Sequence, residues 1–167
     1  MDARPVLSLV AKILERNRLE AILIGNAAAA LQGAPVTTVD LDFLFRKTPR
    51  NVAKLKSVAK ALRAVVMRPY YPASDLFRVV REEDGLQVDF MGSIHGVRSF
   101  ASLRSRAQRM EFDGAVLLVA DLADIVRSKR AAGRPRDRAV LEMLEKTLRE
   151  KKKTDQAANA GRPQARK

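Results

Sequence analysis

The sequence predicts an α/β (α+β) fold: a mixed sheet with helices packed against it, followed by C-terminal helices. Three observations carry that prediction. In the N-terminal half, apolar runs with helical period alternate with short, strand-like apolar runs. Two Asp-Gly pairs, Asp84-Gly85 and Asp113-Gly114, each join two strand-like runs, the signature of hairpins. The last periodic stretch is helical again, interrupted at Gly133 and restarted at Pro135.

Each element follows in turn. "PVLSLVAKILERNR" sets Leu7, Val10, Ala11, Ile13 and Leu14 near helical spacing with charges between them, an amphipathic first helix. "AILIGN" reads as a short buried strand stopped by Gly25. "NAAAALQG" reads as a two-turn helix capped by Asn26, with Gly33 past its end. The strand "VDLDFLF" follows. "TPRNVAKLKSVAKALRAVV" opens on Thr48 as cap and Pro49 at the first helical position, and Val52, Leu55, Val58, Ala59 and Leu62 form its apolar face. "YYPAS" is a loop. "LFRVVREEDGLQVDFMG" is the first hairpin; a two-residue turn would set Val80 opposite Asp89, with Arg78 one pair along on the same face. "VRSFASLRSR" is helical, "QRMEFDGAVLLVA" is the second hairpin, and "DLADIVRSKRAAG" and "PRDRAVLEMLEKTLREKKK" are the closing helices. One domain over residues 1–150 is expected, with residues 151–167, polar, basic and aperiodic, as a disordered tail.

Composition narrows the chemistry. Among 167 residues there is no cysteine, which excludes disulfides, thiolate metal sites and thiol catalysis and fits a reducing, cytoplasmic setting. A single histidine, His95, excludes a histidine-rich zinc site. The N-terminal segment is charged throughout and reads as neither signal peptide nor membrane span. The net charge of +13 is uneven: Arg127 to Lys167 hold 14 Lys/Arg against 5 Asp/Glu, and the first 126 residues hold 18 against 14. Such a field favours polyanionic partners, nucleic acid or nucleoside triphosphate, although a basic tail also serves simple solubility.

The stretch "TTVDLDFLF" places two aspartates in a strand, where aspartate is disfavoured and a buried carboxylate is costly. Alternation puts Val39, Leu41, Phe43 and Phe45 on one face and Asp40, Asp42 and Leu44 on the other. Carboxylates at i and i+2 lie roughly 7 Å apart. They repel one another unless a cation intervenes. Asp89, in "LQVDFMG", has the parity to join them if its strand is a neighbour. Oxygen ligands alone select a hard ion, Mg²⁺, whose shell substrate phosphates commonly complete. Upstream, Gly25-Asn26 marks a strand-to-helix turn, where Gly25 admits phosphates and the Asn26 side chain can donate to one; the same pair also serves as an ordinary helix cap.

Taken together, "LIGNAAAALQG…TTVDLDFLF…LQVDF" resembles the nucleotidyltransferase fold of the DNA polymerase beta superfamily. "DLADIVRSKRAAGRPRDRAVLEMLEKTL" resembles the C-terminal helices of a small bacterial group with abortive-infection-type toxins and lincosamide-type nucleotidyltransferases. The resemblance implies Mg²⁺-dependent transfer of a nucleoside monophosphate from an NTP to an acceptor hydroxyl on an RNA end, a protein or a small molecule, with release of pyrophosphate. It implies Gly25 and Asn26 as the triphosphate turn, Asp40, Asp42 and Asp89 as the catalytic metal-binding acids, and Lys129 as a charge on the β- and γ-phosphates. Asn26 departs from the usual Ser or Gly. The basic C-terminal quarter tilts the acceptor toward tRNA or another RNA, and so small a chain suits a homodimer or a partner protein. The competing reading is a non-catalytic, antitoxin-like binding member of the same fold. Arg78 neutralises the acidic cluster if the hairpin register allows it. Asp137 has a simpler role, complementing the dipole of the last helix. Tyr70-Tyr71 as a base-stacking platform and His95 as a base have weaker claims than loop packing.

Overall fold

The apolar stripe of the first helix is buried where its spacing puts it. In α1 (Arg4–Arg16), Leu7, Val10, Ala11, Ile13 and Leu14 all face the core. The computed structural model describes residues 3–161. After α1 come β1 (Ala21–Ile24), α2 (Gly25–Ala30), β2 (Leu41–Phe45), α3 (Pro49–Ala61), β3 (Val65–Met67), β4 (Phe77–Arg81) and β5 (Leu86–Met91). The chain continues through α4 (Phe100–Arg104), β6 (Gln108–Phe112), β7 (Ala115–Val119), α5 (Leu122–Ala132) and α6 (Pro135–Ala160).

The strands form one seven-stranded mixed sheet in the order β3-β4-β5-β2-β1-β7-β6. The β1–β7 and β2–β5 pairings are parallel and the other four are antiparallel. Helix α1 packs on β6, β7 and α3, whereas α2 packs on β1, β2 and α5.

An aromatic cluster fixes the central register. Phe43 of β2 stacks on Phe90 of β5 with ring centroids 5.3 Å apart. Phe45 meets Phe77 and Phe90 edge-on at 5.8 and 6.1 Å. Phe43, Phe45 and Phe90 are fully buried. Each such aromatic pair adds about 0.5–1.5 kcal/mol beyond area burial. A one-residue slip would turn these rings to the wrong face, so the cluster also dictates which residues line up on the other face.

Four local expectations change. The helix read as "TPRNVAKLKSVAKALRAVV" ends at Ala61; Arg63 takes a left-handed φ of 54°, and Val65–Met67 becomes edge strand β3, paired with β4. β-branched valines gain more from a strand pairing than from another helical turn. The β4–β5 connection is a four-residue turn, so Arg78, not Val80, stands opposite Asp89. Helix α2 starts at Gly25 with Ile24 as its cap residue, so Asn26 lies inside the helix and does not cap it. Helix α6 runs on to Ala160, through residues expected to be disordered. Its Lys, Gln and Ala residues are strong helix formers and need no apolar stripe where both sides face solvent. Lys151 anchors this extension, donating to Gln32 Oε1 at 3.0 Å and lying 3.5 Å from Asp121. Residues 162–167 of the expected tail lie outside the described residues.

Candidate active site

Register places the candidate residues in one row across the sheet. Asp42 of β2 pairs with Asp89 of β5, Asp89 with Arg78 of β4, and Asp42 with Ile24 of β1. Neighbouring strands lie about 4.8 Å apart, so the two carboxylates start from adjacent positions on the face opposite the aromatic cluster. Asp40 sits in the bend leading into β2, two residues before Asp42.

Gly25 follows Ile24 and closes the row. Its φ is +68°, and a Cβ there would fall 2.7 Å from Asp42 Oδ2. Any side chain at this position would displace the Asp42 carboxylate. Only glycine offers both the left-handed backbone and the space.

Electrostatics single out Asp42. Burial pushes its carboxyl up from 3.8 to about 6, and the negative charges of Asp89 and then Asp40 push in the same direction. Lys129 of α5 and Arg136 of α6 partly offset this. Four charged groups from four segments therefore act on one carboxylate. Such crowding of acids is relieved by a cation.

Asp89 is arranged differently. Arg78 donates to both its oxygens, Nε to Oδ1 at 2.9 Å and Nη2 to Oδ2 at 2.8 Å. Asp89 is buried and Arg78 largely so. The Arg78 guanidinium is held even more firmly charged than usual, first by its bonds to Asp89, and Tyr70 adds to the effect. Among the described residues, no three acidic or histidine side chains stand close enough to hold a metal ion together. Asp89 joins the row as the partner of Arg78. A two-carboxylate site at Asp40 and Asp42 fits Mg²⁺, which takes hard oxygen ligands and one or two carboxylates beside substrate phosphates. The glycine at position 25 leaves the approach to Asp42 open.

Lys129 is held by Asp137, donating to Oδ1 at 3.2 Å, with both side chains mostly buried. Asp137 Oδ2 is buried without a hydrogen bond, 3.9 Å from Arg134 Nε. Asp137 thus sits in the first turn of α6 and also fixes the lysine. Asn26 does not point a donor at the site: its amide reaches the Thr37 carbonyl at 3.4 Å, and its Oδ1 is buried without a partner. Sequence alone gives no sign of Arg136, because only the packing of α6 beside α5 brings it near Asp42.

The fold that carries this site recurs in solved structures. A Thermotoga maritima protein provisionally labelled a nucleotidyltransferase aligns with a TM-score of 0.60 at 19% identity, over 87% of this chain and 92% of that one. The chain has the nucleotidyltransferase fold. The same fold is seen in ANT(2'')-Ia in complex with adenylyl-2''-tobramycin, with a TM-score of 0.58 at 15% identity over 92% of this chain and 94% of that one. It is seen again in the lincomycin-bound lincosamide antibiotic adenylyltransferase LnuA, with a TM-score of 0.58 at 12% identity over 83% and 94%. No protein-family model and no curated protein matches the sequence. Among the described residues, no helix is long and apolar enough to cross a membrane.

Proposed function

We propose that this chain is a metal-dependent nucleotidyltransferase that moves a nucleoside monophosphate from an NTP to an acceptor hydroxyl and releases pyrophosphate. The observation that carries this reading is the meeting of Gly25, Asp42 and Asp89 at one place on the sheet, with Lys129 close enough to act on Asp42. Asp40 and Asp42 would hold Mg²⁺, which when bound neutralises charge on the attacked phosphate and on the departing pyrophosphate. Lys129, oriented by Asp137, and Arg136 supply fixed positive charge for the triphosphate. Gly25 keeps the approach to Asp42 clear. Phosphoryl transfer asks mainly for such positioning and charge neutralisation.

For the acceptor, one observation favours a polyanion such as RNA. The distal half of α6 presents exposed Lys146, Arg149, Lys152 and Lys153. The antibiotic adenylyltransferases of the same fold make a small hydroxylated molecule the competing acceptor. Labelled NTPs with Mg²⁺ and separate RNA, protein and small-molecule extracts test both. Wild type should transfer label and Asp42→Asn should not. Transfer to RNA that collapses between about 50 and 200 mM salt supports the polyanionic acceptor. Transfer that persists in Asp42→Asn refutes this site as the seat of the reaction, and no transfer to any extract refutes the enzymatic reading in favour of a binding-only role.

A further inference from the structure

Resting on the proposed nucleotidyl transfer, we infer that Arg78 takes the place of a second metal ion, so that the nucleotide site of this chain holds one divalent cation where a three-acid row would otherwise hold two. The geometry is specific. Asp89 lies beside Asp42 in register, where it could share a cation with it. Both oxygens of Asp89 instead accept hydrogen bonds from Arg78, at 2.9 and 2.8 Å. This fork is the bidentate arrangement that a planar guanidinium offers a carboxylate, and it holds its charge at any working pH. It is also built in, since Arg78 stands directly opposite Asp89 across the β4–β5 ladder and the Phe77–Phe45 contact anchors the neighbouring position.

Charge balance agrees. Within the row, Arg78 offsets the charge of Asp89, and Asp40 and Asp42 leave two negative charges for one divalent ion, beside the positive charges of Lys129 and Arg136 that face the triphosphate. A divalent ion placed on Asp89 would sit against a partly buried, permanently charged guanidinium, where like charges repel. Asp89 thereby becomes a positioning residue for Arg78, and Arg78 supplies the fixed positive charge on the side of the row away from Gly25.

The test counts ions. Mn²⁺ is titrated by electron paramagnetic resonance into the full chain saturated with an α,β-methylene NTP. Wild type should bind one Mn²⁺ per chain, and Arg78→Lys, which keeps a positive charge, should also bind one. Arg78→Met should bind two. Arg78→Met/Asp89→Asn, which removes both charges and leaves no buried acid unpaired, should return to one and should fold even where the single variant does not. Two ions in wild type, or one ion in an Arg78→Met chain with wild-type circular dichroism, overturns the inference and leaves the enzymatic reading standing. No nucleotide-dependent Mn²⁺ binding, or binding unchanged in Asp42→Asn, defeats the enzymatic reading and the inference together.

Discussion

Replacing Asp42 with asparagine should make the protein more stable and inactive at once. In the folded chain the Asp42 carboxyl is raised from 3.8 to about 6, chiefly by burial and then by Asp89 and Asp40. Folding therefore favours its protonated form. Above pH about 6 the carboxyl is ionised in both states, and the folded state bears the full cost. Below pH about 4 it is protonated in both, and the cost vanishes. At about 1.4 kcal/mol per pH unit, the interval is worth about 3 kcal/mol. Asparagine resembles the protonated acid and carries no charge, so Asp42→Asn should gain up to about 3 kcal/mol at pH 8. For a chain of this length that is a rise in Tm of roughly 6–12 °C. The gain should shrink through pH 6 to 4 and be near zero at pH 3.5. Urea unfolding of both proteins at pH 8, 6 and 4 without divalent ions measures it. The difference between the two, not either curve alone, is the test, because other acids also protonate on the way down. An Asp42→Asn chain no more stable than wild type at pH 8 refutes the claim that this carboxylate is held in an unfavourable, cation-seeking environment.

Other consequences are as direct. Gly25→Ala must adopt a φ of +68° and push Asp42 Oδ2 away from a 2.7 Å contact. Because the carboxylate can rotate, the stability loss should be only about 1–2 kcal/mol from the backbone, while nucleotidyl transfer drops by roughly 100-fold or more; thermal unfolding and label transfer read the two separately. Lys129→Gln should raise KM for the NTP by roughly tenfold or more. It should also cost about 3–5 kcal/mol by leaving Asp137 buried without its partner. Adding Asp137→Asn should restore stability without restoring KM. Below pH about 6, protons compete for Asp42, so Mn²⁺ affinity should fall by up to roughly tenfold per pH unit, which isothermal titration can follow.

Strand and helix identities were legible wherever period and composition agreed. The α1 stripe, the Asp113-Gly114 hairpin and the Gly133–Pro135 break all stand where the sequence puts them. The misread points share a cause, which is that local preference was nearly balanced and long-range pairing decided. Val65–Met67 has the apolar residues of either a helix end or a strand, and β4 supplied the pairing. The four-residue turn Glu82–Gly85 outweighed the two-residue turn that Asp84-Gly85 suggests. Arg81, bonded to Asp84 at 2.9 and 2.7 Å, closes that longer turn.

By itself the sequence determined the inventory: which acids alternate onto the unfavourable face of a strand, where a glycine must bend the chain, and that thiolate and histidine-rich metal chemistry are excluded. Those are local properties, set by side-chain period and residue type. Tertiary structure decided the company each acid keeps. Nothing in its own strand says which side chain Asp89 meets. The aromatic packing on the opposite face set the β2–β5–β4 register, and that register placed Arg78 across from it.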